Sequence, residues 1–314
     1  MQPSGNADEE GAPAPRSRPR IVSPYAKAFA LLSVVAAAGV TTWLAHRGPS
    51  AAPRPHPAVV SRRAQAARHA WEITGANAAR IERVDAPLAQ GLFGTSASFG
   101  LGNRAARQDQ VPAGSGAVPT LVYRSLAAFR ADLRRGRIDS RIRAVLYDPE
   151  RWPSTPAAEQ RDPLAAMRQF GQLAHAHGYK VVLAPGRDLL AVPGARCGAN
   201  GQSLDQAYLR CGFARAARFA DVFSIQSQAD EFDVPAFRAF VVAAAAQARA
   251  AHPGVRIFAG ISTNPATGRA RSTDLTRAVR SVDGTVNGFW ANVFVRRPGQ
   301  LQTAIAFFRS LARG

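Results

Sequence analysis

From residue 118 onward the chain alternates short apolar runs with longer amphipathic ones, and this alternation limits the fold more than any other feature. The apolar runs lie at 120–123, 143–147, 180–184, 221–225, 256–261 and 286–294 and are rich in Val, Leu, Ile, Phe and Ala. The segments between them carry helix punctuation. Ser125 precedes LAAFRADLRRG, Asp162 and Pro163 open a helix that Gly178 closes, Asp233 and Pro235 open an Ala-rich one that stops before Pro253-Gly254, and Pro298-Gly299 precede QLQTAIAFFRSLA. Ser and Asp side chains satisfy the first free N–H groups, Pro fits the first turn, and Gly takes the left-handed terminating position.

Strands that are apolar throughout and separated by helices belong to βα units around a parallel sheet covered on both faces. Six strands are countable, and two more are expected within 70–98. The resulting fold class is α/β, a (β/α)8-like barrel, regular or modified. An open doubly wound sheet is disfavoured, because no G-x-G-x-x-G sits at a first strand-to-helix turn; Gly100-Leu101-Gly102 lacks the third glycine.

In such a barrel the residues just past the C-terminal ends of the strands line the mouth. Those positions are polar and aromatic: Tyr147, Asp148, Glu150, Arg151 and Trp152, then Arg187 and Asp188, then Gln226, Gln228 and Glu231, then Ser262, Thr263 and Asn264, and last Trp290 and Asn292. Acids and amides pair with hydroxyls while indole faces stack on sugar rings, which suits a carbohydrate cleft. Asp148, Glu150 and Asp188 are the candidate catalytic groups, because a general acid needs a second carboxylate or a buried setting to raise its pKa. Tyr147, Trp152, Arg187, Gln226, Gln228, Asn264, Trp290 and Asn292 are the candidate substrate-binding groups. Plainer readings stand beside these: Asp148 caps local backbone, and Arg187 with Asp188 forms a loop ion pair.

From residue 118 to the end this pattern resembles the barrel-fold glycoside hydrolases, at the level of fold and without a specific family motif. The resemblance implies a protein that binds or hydrolyses polysaccharide with an acidic pair at two strand ends. Where such a pair is expected, the fourth and fifth predicted strands end instead in Gln226 and Gln228 and in Ser262, Thr263 and Asn264, leaving Asp148, Glu150, Asp188 and Glu231 as the available acids. The alternative is a catalytically silent envelope module that docks on anionic polymer or lipid through its basic surface. No cofactor or metal is expected. His175 and His177 are two apart on one helix and diverge, and Ser224, Ser227 and Ser262 lack a G-x-S-x-G context.

The N-terminal part reads differently. Residues 1–25 form a tail without periodicity, expected to be disordered, and 26–45 contain the charge-free run AFALLSVVAAAGVTTWL at 28–44, with Tyr25 and Trp43 at its ends. Such a run is just long enough to cross a membrane as a helix. An uncleaved signal-anchor is preferred to a cleaved signal peptide, because a long polar stretch precedes the run and Ala45, His46 and Arg47 follow it. A Pro/Arg-rich linker at 46–69 then leads to the folded domain at 70–314. Basic residues flank the span evenly, so orientation rests on Cys197 and Cys211, the only cysteines, which lie in or beside one Gly-rich loop. They would close a short ring in an oxidising compartment and so place the domain outside the cytoplasm, secreted if the segment is cleaved; two free thiols are the alternative. The net charge of +19 favours anionic partners by long-range attraction. Nucleic acid is discounted, since no Arg run is interleaved with aromatics and no zinc knuckle or helix-turn-helix is visible.

Overall fold

A computed structural model of the protein describes residues 69–103, 116–264, 268, 270–295 and 299–313. The expected tail, the membrane segment and all of the linker except His69 lie outside the described residues. Eight parallel strands close into a barrel in sequence order: β1 (Ala70–Thr74), β2 (Phe99–Asn103), β3 (Val118–Tyr123), β4 (Ala144–Tyr147), β5 (Lys180–Leu183), β6 (Val222–Ile225), β7 (Arg256–Ser262) and β8 (Gly288–Asn292). β8 pairs back on β1, with Trp290 opposite Glu72.

Helices cover the outside: α1 (Gly75–Val84), α2 (Ala86–Phe93), α3 (Leu126–Arg134), α4 (Ala157–Arg161), α5 (Pro163–Ala176), α6 (Leu204–Cys211), α7 (Val234–Ala251), α8 (Ser272–Ser281) and α9 (Gln300–Ala312). Their starts follow the sequence. Ser125 accepts from the Ala128 N–H, Asp162 from Ala165 and Asp233 from Ala236, so each closes an orphan donor of the first turn. Gly178 takes φ +78° after α5, as its place predicts.

Successive strand residues point to opposite faces, and here this separates two apolar layers. Val145, Tyr147, Val181, Leu183, Phe223, Ile225, Ile257 and Ile261 pack outward with the helices. Phe99, Leu101, Leu146, Val182, Val222 and Phe258 fill the barrel interior, with Trp290 packed against them. Strands buried on both faces explain the unbroken apolar runs.

One strand falls outside the expected window. β1 lies within 70–98, but β2 begins at Phe99, and Gly100 and Gly102 are strand residues on its outward positions rather than a turn. Glycine between apolar residues hides the run, because the periodicity that marks a strand is carried by side chains.

Cys197 and Cys211 form a disulfide with Cα atoms 5.9 Å apart. The bond ties the loop after β5 to the end of α6, and in the chain-entropy picture closing such a ring contributes roughly 3 kcal/mol. His175 pairs with Asp221 at 2.9 Å and the His177 ring meets the Leu173 carbonyl, so neither faces the other. Among the described residues no helix is long and apolar enough to cross a membrane.

Candidate active site

The mouth is built from the first residues beyond β4, β5 and β6. Asp148 follows β4 directly and is 4% exposed, with Oδ1 accepting from the Gln226 Nε2 at 2.7 Å. The same amide donates to the Ala184 carbonyl at 2.8 Å, which fixes its rotamer across the β5 end. Glu150 and Asp188 meet beside Gly186: a single methyl group there would lie 2.6 Å from both the Glu150 Cγ and the Asp188 Oδ1. A larger residue at this position would force one of the two carboxyl side chains to move.

Three carboxyl groups in one partly dry place cannot all be ionised at neutral pH. Burial raises Asp148 well above the usual carboxylate range, and Glu150 and Asp188 push the same way while Arg124 opposes. Burial and then Asp188 bring Glu150 up to about 7, against Gln226 and Arg124. Asp188 is also raised by burial, but N–H groups of Arg151, Leu189 and its own residue favour its charged form. Its Oδ2 accepts from the Arg151 N–H at 2.9 Å, whereas the buried Oδ1 makes no hydrogen bond. Asp188 is therefore the group best supplied to carry charge, and Asp148 and Glu150 are the ones inclined to hold protons.

Gln228 reaches the same region. Its amide occupies the space that a Cβ on Gly260 would need, with Cδ 2.4 Å from that point, so the glycine of β7 makes room for it. The adjoining Ala229 has φ +91°, a conformation an L-residue rarely adopts. Glu231 holds this loop by accepting from Ala229 at 2.7 Å and from the Ser262 N–H at 2.6 Å. Burial pushes Glu231 up to about 7; it braces the loop and lies fully covered. Trp290 is half-buried on the inner face of β8, in register with Gly260. Asn292 is two residues further along that face, beside Ser262. Trp152 lies under the Arg124 guanidinium at 4.0 Å from its ring centre.

Two expected binding residues turn away from the mouth. Tyr147 belongs to the outward layer: it stacks on Phe170 of α5 at 4.7 Å, and its hydroxyl donates to Glu159 at 2.7 Å. The pleat decides this, since its neighbour Asp148 lies at the mouth. Arg187 does not pair with Asp188. Its guanidinium binds Asp205, Asp230 at 2.6 Å and the Gln228 carbonyl at 2.6 Å, and lies over the Phe240 ring. It clamps the mouth loops to α6 and α7. Asn264 is engaged by Gln300 at 3.1 Å and by its own turn.

Two residues enter that the sequence reading passed over. Arg124 directly follows β3, a strand end of the same kind as the others, and its charge favours ionised Asp148 and Glu150. Glu72 sits inside the barrel on β1, fully buried. Burial pushes it up to about 8, against the Ser224 hydroxyl and the Arg256 guanidinium, and it adds to the forces that keep Asp148 neutral. Neither Glu72 oxygen makes a hydrogen bond of good geometry, nor does the Ser224 hydroxyl. Its signal was legible in AWEIT, where one acid occupies the inward position of an otherwise apolar strand. Among the described residues no cluster of His, Cys, Asp and Glu is arranged to hold a metal ion.

A parallel eight-stranded β/α-barrel with an acidic mouth is the class that fold and site define. No family model matches the chain, and no curated protein matches it. Among solved structures it is similar to one described as a "putative alpha-L-fucosidase" from Bacteroides thetaiotaomicron, with 11% identity and a TM-score of 0.40, over 60% of this chain and 61% of that one. The chain thus spans less than two thirds of that protein, and the likeness is one of fold alone.

Proposed function

We propose that the barrel binds polysaccharide at its mouth and hydrolyses it in the manner of a glycoside hydrolase. The observation that carries this reading is the trio Asp148, Glu150 and Asp188, whose shared burial leaves protons on some members while backbone N–H groups favour charge on Asp188. Hydrolysis of a glycosidic bond needs that division: a neutral carboxylic acid gives its proton to the departing oxygen as the bond to the anomeric carbon breaks, and a carboxylate attacks that carbon or takes a proton from the attacking water. Glu150, held at about 7 by burial and Asp188, is the proton carrier, Asp148 stays protonated and receives the Gln226 amide, and Asp188 is the ionised partner. Trp290 supplies an apolar face for a sugar ring, and Gln226, Gln228 and Asn292 supply amides for its hydroxyls.

A panel of neutral and anionic polysaccharides, assayed for binding and for new reducing ends, tests the reading. Trp290→Ala should weaken binding about tenfold, or about 1.4 kcal/mol. Sugar binding indifferent to that change removes the stacking platform, and binding without turnover by the wild type selects the silent envelope module instead.

The domain's place is part of the proposal: the charge-free run at 28–44 anchors the chain, and the barrel works outside the cytoplasm. The Cys197–Cys211 bond supports an oxidising compartment. Protease added to intact cells should digest the barrel, and a protected barrel would reject this orientation.

A further inference from the structure

The outer wall of the barrel carries a second recess that has no part in the mouth. It has a volume of about 350 Å³ and lies between the first turns of α5, the disulfide and the helical turn Phe213–Phe219. Arg168, Arg196, Arg215 and Arg218 line it together with Leu164 and Phe219. One acid is present, and it is already committed. Asp162 caps α5 by accepting from the Ala165 N–H at 3.1 Å and pairs with Arg196 at 2.9 Å. Arg168 and Arg215 make no ion pair or hydrogen bond among the described residues, and Arg218 only lies over the Phe219 ring at 5.0 Å.

We propose that this recess binds an anionic saccharide unit, one bearing phosphate or carboxylate groups. Surfaces that serve only solubility intersperse the two signs, whereas here three exposed arginines without an ion pair among the described residues line one hollow. Their repulsion is relieved by an oxyanion, and the planar fork of Arg matches the geometry of phosphate and carboxylate. The volume falls in the range of small-ligand sites, and Leu164 and Phe219 give a ring an apolar wall. The disulfide belongs to the site: Cys211 lines the recess, and Cys197 fixes the neighbouring Arg196. The proposal stands without catalysis at the mouth, because it concerns binding on another face.

The test measures binding of the full-length protein to a phosphomannan, an oligogalacturonate, inorganic phosphate, a neutral dextran and vesicles of acidic phospholipid. The double variant Arg168→Gln/Arg215→Gln is compared with Arg134→Gln, which removes an exposed charge from α3. At least one anionic glycan should bind with salt-sensitive affinity, lose about tenfold or more in the double variant, and bind the Arg134→Gln protein as it does the wild type. Arg218→Gln should lower the same affinity independently. Equal loss in the Arg134→Gln control would reduce the effect to general basicity and overturn the site. Unchanged binding in the double variant, binding of inorganic phosphate without any glycan, or preference for the vesicles over the glycans would each overturn it as well.

Discussion

Asp148→Asn and Glu150→Gln should each lower kcat by roughly two to four powers of ten on any polysaccharide the wild type cleaves, and the double variant should be hardly worse than the poorer single. Groups that share protons act as one unit, so removing a second member finds little left to remove. The pH profile separates the two roles. Burial and the neighbouring Asp188 hold Glu150 at about 7, so the protonated form that donates to the leaving oxygen is lost as pH rises through that value. The wild-type rate should therefore fall on the alkaline side of about 7, and Glu150→Gln should erase that limb.

Asp148→Asn should leave the limb close to its wild-type pH, because burial and Asp188, not Asp148, hold Glu150 up and Asp148 is itself neutral there, while the amide preserves the hydrogen-bonding shape beside Gln226. Turnover that survives both substitutions would remove the trio from the chemistry, whatever the mouth binds. A profile unchanged in Glu150→Gln would transfer the proton-carrying role to another group.

Much of this mouth was readable because a barrel converts position along a strand into position in space. The residue after a strand end is at the mouth whether or not its neighbours are known, which is how Asp148, Glu150, Asp188, Gln226 and Gln228 were found together. The failures come from rotation about the strand and from partners distant in sequence. Tyr147 differs from Asp148 by one step of the pleat, and that step sends it against Phe170. Arg187 follows a strand end as predicted, yet Asp205 and Asp230 draw it into the wall; no local pattern announces an ion pair spanning different loops. The second strand escaped because FGLGN has too few side chains to display a period. Glu72 escaped because it lies mid-strand, where the strand-end rule does not look. The spacing of Cys197 and Cys211 beside one loop made a disulfide the expected state in an oxidising compartment, with two free thiols as the alternative, since a short chain segment keeps its two ends near each other.

Glu72→Gln should make the protein more stable at pH 8 by roughly 3 to 5 kcal/mol, a rare sign for a change at a fully buried polar residue. Burial raises the Glu72 carboxyl from 4.5 to about 8, so in the folded chain it holds a proton that the unfolded chain releases at much lower pH. The folded state therefore binds more protons between those two values, and stability falls as pH rises across them. The contribution is fully present below about 4.5 and is lost by the time pH passes about 8. Gln has the same shape and no proton to lose, so the variant should keep the low-pH stability throughout, and the difference between the two proteins should grow from near zero at pH 4.5 to its full size at pH 8. The other buried acids tilt both curves alike and cancel in the comparison. Denaturant unfolding of both proteins at pH 4.5, 6 and 8 measures the effect; parallel curves would show that Glu72 stays ionised or is solvated in the barrel. A residue whose removal stabilises a fold is retained for another reason, and here one is at hand. Once ionised, above about pH 8, Glu72 is one of the charges that raise Asp148, so the stabilised variant should lose activity in that range while the Glu150 limb near 7 stays in place. A stabilised protein with unchanged activity above about pH 8 would separate Glu72 from the mouth and leave its burial unexplained by catalysis.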